Sequence, residues 1–178
     1  MEHITLQDKT FRTYIPYTEI DKAISRVAVQ LNRDLKEEDK PVFVSILNGS
    51  FMFTADLMKK ITLNCEVTFV KLASYSGTCS TGTVREVLGL CTDITDRTVV
   101  VLEDIVDSGT TIANLLDDLK KMNPKQIKIC TLLFKPAAYK ADIPIDYACI
   151  KIPNAFVVGY GLDYNNLGRQ YKDLYVID

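Results

Sequence analysis

No run of apolar residues in this 178-residue sequence approaches the ~18–20 needed to cross a bilayer, so a membrane span and a membrane partner are not expected. The start, MEHITLQDKTF, lacks a basic segment leading into an apolar one, and no export signal is read there. There is no excess of positive charge either. Twenty-one basic against 23 acidic residues give net −2, whereas a surface that tracks nucleic-acid phosphates is strongly basic, so no nucleic-acid partner is expected. The five cysteines, Cys65, Cys79, Cys91, Cys130 and Cys149, are odd in number, widely spaced and without a C-x-x-C, which argues against a disulfide framework or a zinc site. Reduced cysteines without an export signal point to the cytoplasm. Cys130 and Cys149 lie in apolar runs and read as small core residues. The lone histidine, His3, sits near a terminus expected to be mobile and reads as a surface residue rather than a catalyst.

What is present is an ordinary globular composition, 47 % hydrophobic and 25 % charged, long enough for one domain spanning 1–178 with its own core. Near-continuous Val/Ile/Leu/Phe runs at 41–47, 67–72, 98–105, 127–134, 146–152 and 156–162 read as strands of a sheet covered on both faces. Helices are expected between them, at 17–35, 50–60 and 110–122. In the first, Ile20, Ala23, Ile24, Val27, Leu31 and Leu35 share one face, with Thr18 as N-cap and Asp21 three residues on. The third stops before the breaker pair Asn123-Pro124. Such alternation implies an α/β fold, a parallel sheet flanked by helices with right-handed crossovers. Two stretches break the rhythm. The segment 74–85 (SYSGTCSTGTVR) is small and polar, either a mobile functional loop or a hairpin tip without a role; 159–173 is irregular and tyrosine-rich.

The most informative segment is VVVLEDIVDSGTTI, 99–112. An apolar strand runs into Glu103-Asp104, then Asp107-Ser108-Gly109-Thr110-Thr111, then a helix. Unpaired backbone N–H groups, three hydroxyls and the positive end of a helix dipole make that turn a phosphate site, with Gly109 allowing close approach of the backbone. Neither GxxxxGK[ST] nor GxGxxG is present, so it is neither a Walker A loop nor a dinucleotide fingerprint. Two carboxylates beside a phosphate would repel it unless they serve something else, and both sugar hydroxyls and magnesium want carboxylate oxygens. Ribose 5-phosphate satisfies the segment, its phosphate on 108–111 and its ring hydroxyls near Glu103 and Asp104. The plainer alternative is a strand whose terminal acids cap the next helix.

This segment resembles the phosphoribosyl pyrophosphate motif of the type I phosphoribosyltransferases: four apolar residues, two acids, two apolar residues, an acid, then [ST]-G-x-T. Further blocks resemble the hypoxanthine–guanine members and cover most of the chain. They are SILNGSFMFTADL (45–57), the Ser74-Tyr75 pair, LLFK (132–135) and FVVGYGLDYNNLGR (156–169). The resemblance implies the type I fold with a small hood and a flexible lid, and transfer of a phosphoribosyl group to hypoxanthine or guanine with Mg2+. It implies a homodimer or homotetramer.

It also implies roles residue by residue. Asp107 is the general acid/base near purine N7. Glu103, Asp104, Asp107, Ser108, Gly109, Thr110 and Thr111 bind the phosphoribosyl group. Leu47, Asn48 and Gly49, with a non-proline cis peptide between Leu47 and Asn48, bind pyrophosphate together with Arg169, whose planar fork suits phosphate oxygens. Lys135 donates to the purine O6, a choice that favours 6-oxopurines over adenine. Phe156 stacks on the base and Val157 offers its carbonyl to the base edge. Asp163, on the purine side, helps Glu103 and Asp104 hold magnesium, partly through water. Ser74 and Tyr75 begin the lid. Asn48 departs from the Lys or Arg common in relatives, removing one positive charge from the pyrophosphate loop. Three rivals stay open: the same fold acting on xanthine, adenine or uracil, a generic phosphate-binding domain, and a non-enzymatic regulator that senses metabolites and binds RNA.

Overall fold

The computed structural model describes residues 2–72 and 87–178. The lid expectation at 74–85, with Ser74, Tyr75 and Cys79, therefore lies outside the described residues. Five of the strands run parallel: β3 (Val42–Leu47), β4 (Glu66–Leu72), β6 (Thr98–Val106), β7 (Gln126–Phe134) and β8 (Tyr147–Lys151). A short antiparallel β5 (Val87–Leu88) extends the sheet at the β4 edge, giving the order β5-β4-β3-β6-β7-β8. The helices are α1 (Tyr17–Asp34), α2 (Phe51–Met58) and α3 (Thr110–Lys120), within a few residues of the expected spans.

The apolar runs of the central strands divide by parity. Phe43, Val100, Leu102 and Cys130 pack with Ile20, Ile24, Val27 and Leu31 of α1 and Phe53 and Leu57 of α2. Val42, Val44, Val99, Val101 and Ile129 pack with Ile112, Leu115 and Leu119 of α3 on the other face. Successive strand residues point to opposite faces, so a sheet covered on both sides must be apolar at every position, which is what the unbroken runs signalled.

Three expectations are corrected. First, Thr18 does not cap α1. The helix begins at Tyr17 with Pro16 at the cap position, and the Tyr17 N–H instead donates to Asp173 Oδ1 at 2.6 Å, 156 residues away in the chain. Second, 156–162 is not a strand of the parallel sheet. Only β9 (Val157–Val158) is extended, because Gly159, Tyr160 and Gly161 all adopt positive φ (92°, 48° and 99°) and turn the chain. Third, His3 is not in a mobile tail. It opens β1 (His3–Leu6), which pairs with β2 (Lys9–Ile15), and His3 Nδ1 lies 3.3 Å from Asp178 Oδ2.

These strands, with β10 (Leu174–Ile177), form a second, antiparallel sheet in the order β1-β2-β10-β9. It fits the hood that the resemblance implied. Ile4, Leu6, Phe11, Val158 and Tyr175 make its own core. The two chain ends thus meet beside the carboxyl edge of the parallel sheet, bringing 156–169 with them. Among the described residues, no helix is long and apolar enough to cross a membrane.

Asp173 is buried (8 % exposed) and ties the hood to α1, so its loss should be felt globally. Asp173→Ala is expected to lower the unfolding free energy by ~1–2 kcal/mol, the usual worth of a helix N-cap acceptor. Denaturant unfolding checks this; a midpoint equal to that of the parent would show that the cap contributes nothing.

Candidate active site

From β3 the chain crosses by α2 to β4 on one side, and from β6 it crosses by α3 to β7 on the other. The order of strands therefore reverses between β3 and β6, and the crevice at their carboxyl ends is where ligands bind in open α/β sheets. Among the described residues, the segments singled out for the site, 45–57, 103–111, 132–135 and 156–169, come together at this edge.

On the β3 side, the peptide between Leu47 and Asn48 is cis, as the resemblance implied. Beneath the loop lies a buried chain of hydroxyls: Ser45 Oγ is 2.6 Å from Ser50 Oγ and 2.7 Å from Thr54 Oγ1. Asn48 is exposed and Gly49 buried. A Cβ built at Gly49 would lie 1.4 Å from Asp104 Oδ2, so a side chain at 49 would displace the Asp104 carboxylate from where it stands.

On the β6 side, Glu103 is 8 % exposed, and its Oε2 is buried without a hydrogen-bond partner among the described residues. Burial, then the neighbouring Asp104 carboxylate, push the Glu103 carboxyl well above its ordinary range. Burial also raises Asp104, although the Ile105 N–H donates to its Oδ1 at 2.8 Å and pulls the other way. Two acids held in this state want a cation or hydroxyl donors. The donor set fits a hard divalent ion, which takes carboxylate oxygens.

After β6 the chain turns into α3 with Gly109 at the cap position, which has no side chain to cap it, and the Thr110 N–H donates only a long bond, 3.4 Å, to Ser108 Oγ. A helix start held this loosely suits an anion. Ser108 Oγ and Thr110 Oγ1 are 3.0 Å apart, and both residues are exposed. The reason for Gly109 is fuller than the one expected. Its φ is 86°, and a Cβ there would lie 2.6 Å from the Tyr139 ring and 2.8 Å from Ala141 Cβ.

Asp107 does not cap α3; it pairs with Lys135 at 2.8 Å. The parallel register explains this. Val106 stands opposite Phe134, so Asp107 and Lys135 are the next residues beyond the ladder on adjacent strands, and the Lys135 N–H donates to the Val106 carbonyl at 3.0 Å. Lys135 is buried (7 % exposed), so it is not a surface lysine with its head in water, and its partner is the carboxylate that the sequence assigned to the same chemistry.

The hood supplies the remainder. Phe156 is 48 % exposed and stands edge-on to Tyr164 at 5.9 Å between ring centroids. Val157 is buried in β9, the last strand of its sheet. Asp163 Oδ1 meets Arg169 Nη2 at 2.5 Å and its Oδ2 accepts the Asn166 N–H at 2.7 Å, while Arg169 Nη1 donates to the Gly161 carbonyl at 2.7 Å. Asp163 does not join Glu103 and Asp104 in a metal-binding group: among the described residues, no three His, Cys, Asp or Glu side chains gather for one. Ser45, Thr54 and Gly161 were not singled out by the sequence, and Ser50 only as the start of the helix expected at 50–60. A serine inside the apolar run 41–47 was the available signal for Ser45.

Residues 16–165 match the family model described as phosphoribosyl transferase domain. The chain belongs to this family. It is similar to a hypoxanthine-guanine phosphoribosyltransferase of Streptococcus pneumoniae, 39 % identical with 95 % of this chain and 92 % of the relative covered. It is also similar to a hypoxanthine-guanine-xanthine phosphoribosyltransferase of Tritrichomonas foetus, 36 % identical over 99 % and 95 % of the two chains. A crystal structure of a hypoxanthine phosphoribosyltransferase from Staphylococcus aureus superposes with a TM-score of 0.86 at 34 % identity, covering 100 % of this chain and 98 % of that one.

A buried acid with a raised folded pKa binds its proton more readily folded than unfolded. Stability therefore falls as pH rises from the unfolded carboxylate range, ~4.3, through the raised folded value. In metal-free buffer, Glu103→Gln should raise the melting temperature at pH 7–8. The gain should vanish below about pH 4, where the parent's carboxyl is protonated in both states. Equal shifts at both pH values would show that charge burial is not the cause.

Proposed function

We propose that this chain transfers the 5-phosphoribosyl group from phosphoribosyl pyrophosphate to hypoxanthine or guanine, giving IMP or GMP and pyrophosphate. The observation that carries it is the Lys135–Asp107 pair at 2.8 Å beside the start of α3, where the cap residue is Gly109. A buried cation donor and a carboxylate at the mouth of a phosphate turn match the two polar edges of a 6-oxopurine held against a ribose phosphate. A generic phosphate-binding domain has no use for that pair, and a regulator of RNA would need the basic face that net −2 does not supply.

The residues act as follows. Backbone N–H groups and hydroxyls of 108–111 bind the 5-phosphate, and Glu103 and Asp104 receive the ribose hydroxyls. Amides of 47–49 and the Arg169 fork hold the pyrophosphate. Phe156 stacks on the base, the Val157 carbonyl meets its edge, and Lys135 donates to O6. Purine N9 bonds to C1 as the C1–oxygen bond breaks, the bonding pair leaves with pyrophosphate, and Asp107 takes the N7 proton. Ser74 and Tyr75 begin the lid that excludes water. Glu103 and Asp104 would hold magnesium, with Asp163 reached through water, and the ion would neutralise charge on the leaving group. Magnesium sites of this type use one or two carboxylates and keep several waters, so no protein cage of three is needed, and Asp163, both of whose oxygens are engaged, fits contact through water. The whole chain acts as one domain, in the cytoplasm, as a homodimer or homotetramer.

Ultraviolet-monitored turnover tests this with hypoxanthine, guanine, xanthine and adenine. Magnesium-dependent conversion of hypoxanthine and guanine is expected, with adenine left unconverted. Turnover of adenine alone would overturn the pocket assignment. No turnover of any base would move the weight to RNA binding. Asp107→Asn should cut kcat by about 10²–10⁴ with the circular dichroism spectrum intact; unchanged kcat removes Asp107 from proton transfer.

A further inference from the structure

We propose that Tyr160 and Asp56 are a positioning pair that sets the pyrophosphate loop against the segment carrying Arg169 and Asp163; this rests on the phosphoribosyl-transfer reading above. Tyr160 is fully buried with φ 48°, a region where a bulky residue is a genuine outlier and is held only by its surroundings. Its ring packs in the main core near Tyr17, and its hydroxyl donates to Asp56 Oδ2 at 2.6 Å, 104 residues away in the chain. Asp56 stands on α2, the helix that starts immediately after the loop 47–50, and its side chain is 14 % exposed.

The next residue, Gly161, reaches the site. The Gly161 backbone passes so close to the pyrophosphate loop that a Cβ there would lie 2.0 Å from the Gly49 carbonyl oxygen. The Gly161 carbonyl accepts from Arg169 Nη1 at 2.7 Å, and its N–H donates to the Arg169 carbonyl at 3.0 Å. On the other side the Tyr160 N–H donates to the Tyr171 carbonyl at 2.7 Å. The turn 159–161 is therefore wedged between the loop and the Arg169 segment, and the phenol anchors the wedge to the helix that carries the loop.

The pair is built to stay formed. Burial, then Asp56, raise the Tyr160 phenol far above its ordinary value, so it remains a donor. Burial alone would raise Asp56, but the Tyr160 hydroxyl and Lys59, at 2.9 Å, outweigh it and hold the carboxyl below its ordinary value. The base side has separate supports. β9 is fixed by pairing with β10, and Lys135 by β7. Loosening the wedge should therefore weaken pyrophosphate contacts and spare base contacts.

The experiment compares Tyr160→Phe with Tyr147→Phe. Tyr147 is a buried tyrosine that also donates to an aspartate, Asp34 Oδ2 at 3.2 Å, away from the site. Steady-state kinetics with hypoxanthine and calorimetric binding of phosphoribosyl pyrophosphate with magnesium are read on the full chain. Tyr160→Phe should raise the KM and Kd for phosphoribosyl pyrophosphate about fivefold to tenfold, with the KM for hypoxanthine within about twofold, and Tyr147→Phe should move neither. If Tyr160→Phe does not fold, Tyr160→Phe with Asp56→Asn, which leaves no buried unpaired charge, carries the same test. An unchanged KM for phosphoribosyl pyrophosphate, or equal rises for both substrates, overturns the pair alone. A parent chain that neither binds phosphoribosyl pyrophosphate nor converts any base overturns the reading beneath it, and the pair with it.

Discussion

The Asp104 carboxylate occupies the space a Cβ at residue 49 would need, and the rest of the site is arranged around that approach. β3 and β6 are hydrogen-bonded neighbours, and the chain leaves them in opposite directions along the sheet. The loop after β3 lies over the acids at the end of β6 without displacing Asp104 because residue 49 has no side chain. With glycine at 49, backbone from one strand end and carboxylates from the other share a single crevice. The third wall comes from the hood, where Gly161 meets the Gly49 carbonyl from the opposite side.

The same closeness makes the acid pair electrostatically expensive. Glu103 is buried with an oxygen that no described residue satisfies, and Asp104 sits beside it. A chain selected only for stability would place an apolar residue at 103, as it does at the preceding positions 99–102. Holding unsatisfied acids ready means that a ligand bringing positive charge and hydroxyls recovers what folding gave up. Lys135 and Asp107 show the opposite arrangement. There the buried cation already has its carboxylate, so the pair rests in a satisfied state.

The hood was the least legible part of the molecule. β1 and β2 join through a two-residue loop at Gln7 and Asp8, since Leu6 pairs with Lys9. No Asn-Gly or Asp-Gly stands there to announce a hairpin. β10 reads as a strand only beside β2, and β9 is two residues long. The apolar run at 156–162 looked like one more buried strand because hydrophobicity does not record φ, and three consecutive positive values turn it. Thr18 failed as a cap for a similar reason: a good local acceptor lost to Asp173, which only tertiary folding brings to the start of α1.

The parallel sheet, its three helices and the turn into the third helix were determined by the sequence alone, because each depends on local order: unbroken apolar runs, a 3.6-residue stripe, and an acid-rich strand end followed by Ser-Gly-Thr-Thr. The Lys135–Asp107 contact, the exclusion of a side chain at 49, the engagement of Asp163 by Arg169 and the anchoring of Tyr160 on Asp56 were decided by tertiary structure. Each joins residues distant in the chain through strand register or close packing. A linear pattern carries no information about the ångström-scale distances that make a hydrogen bond or forbid a methyl group.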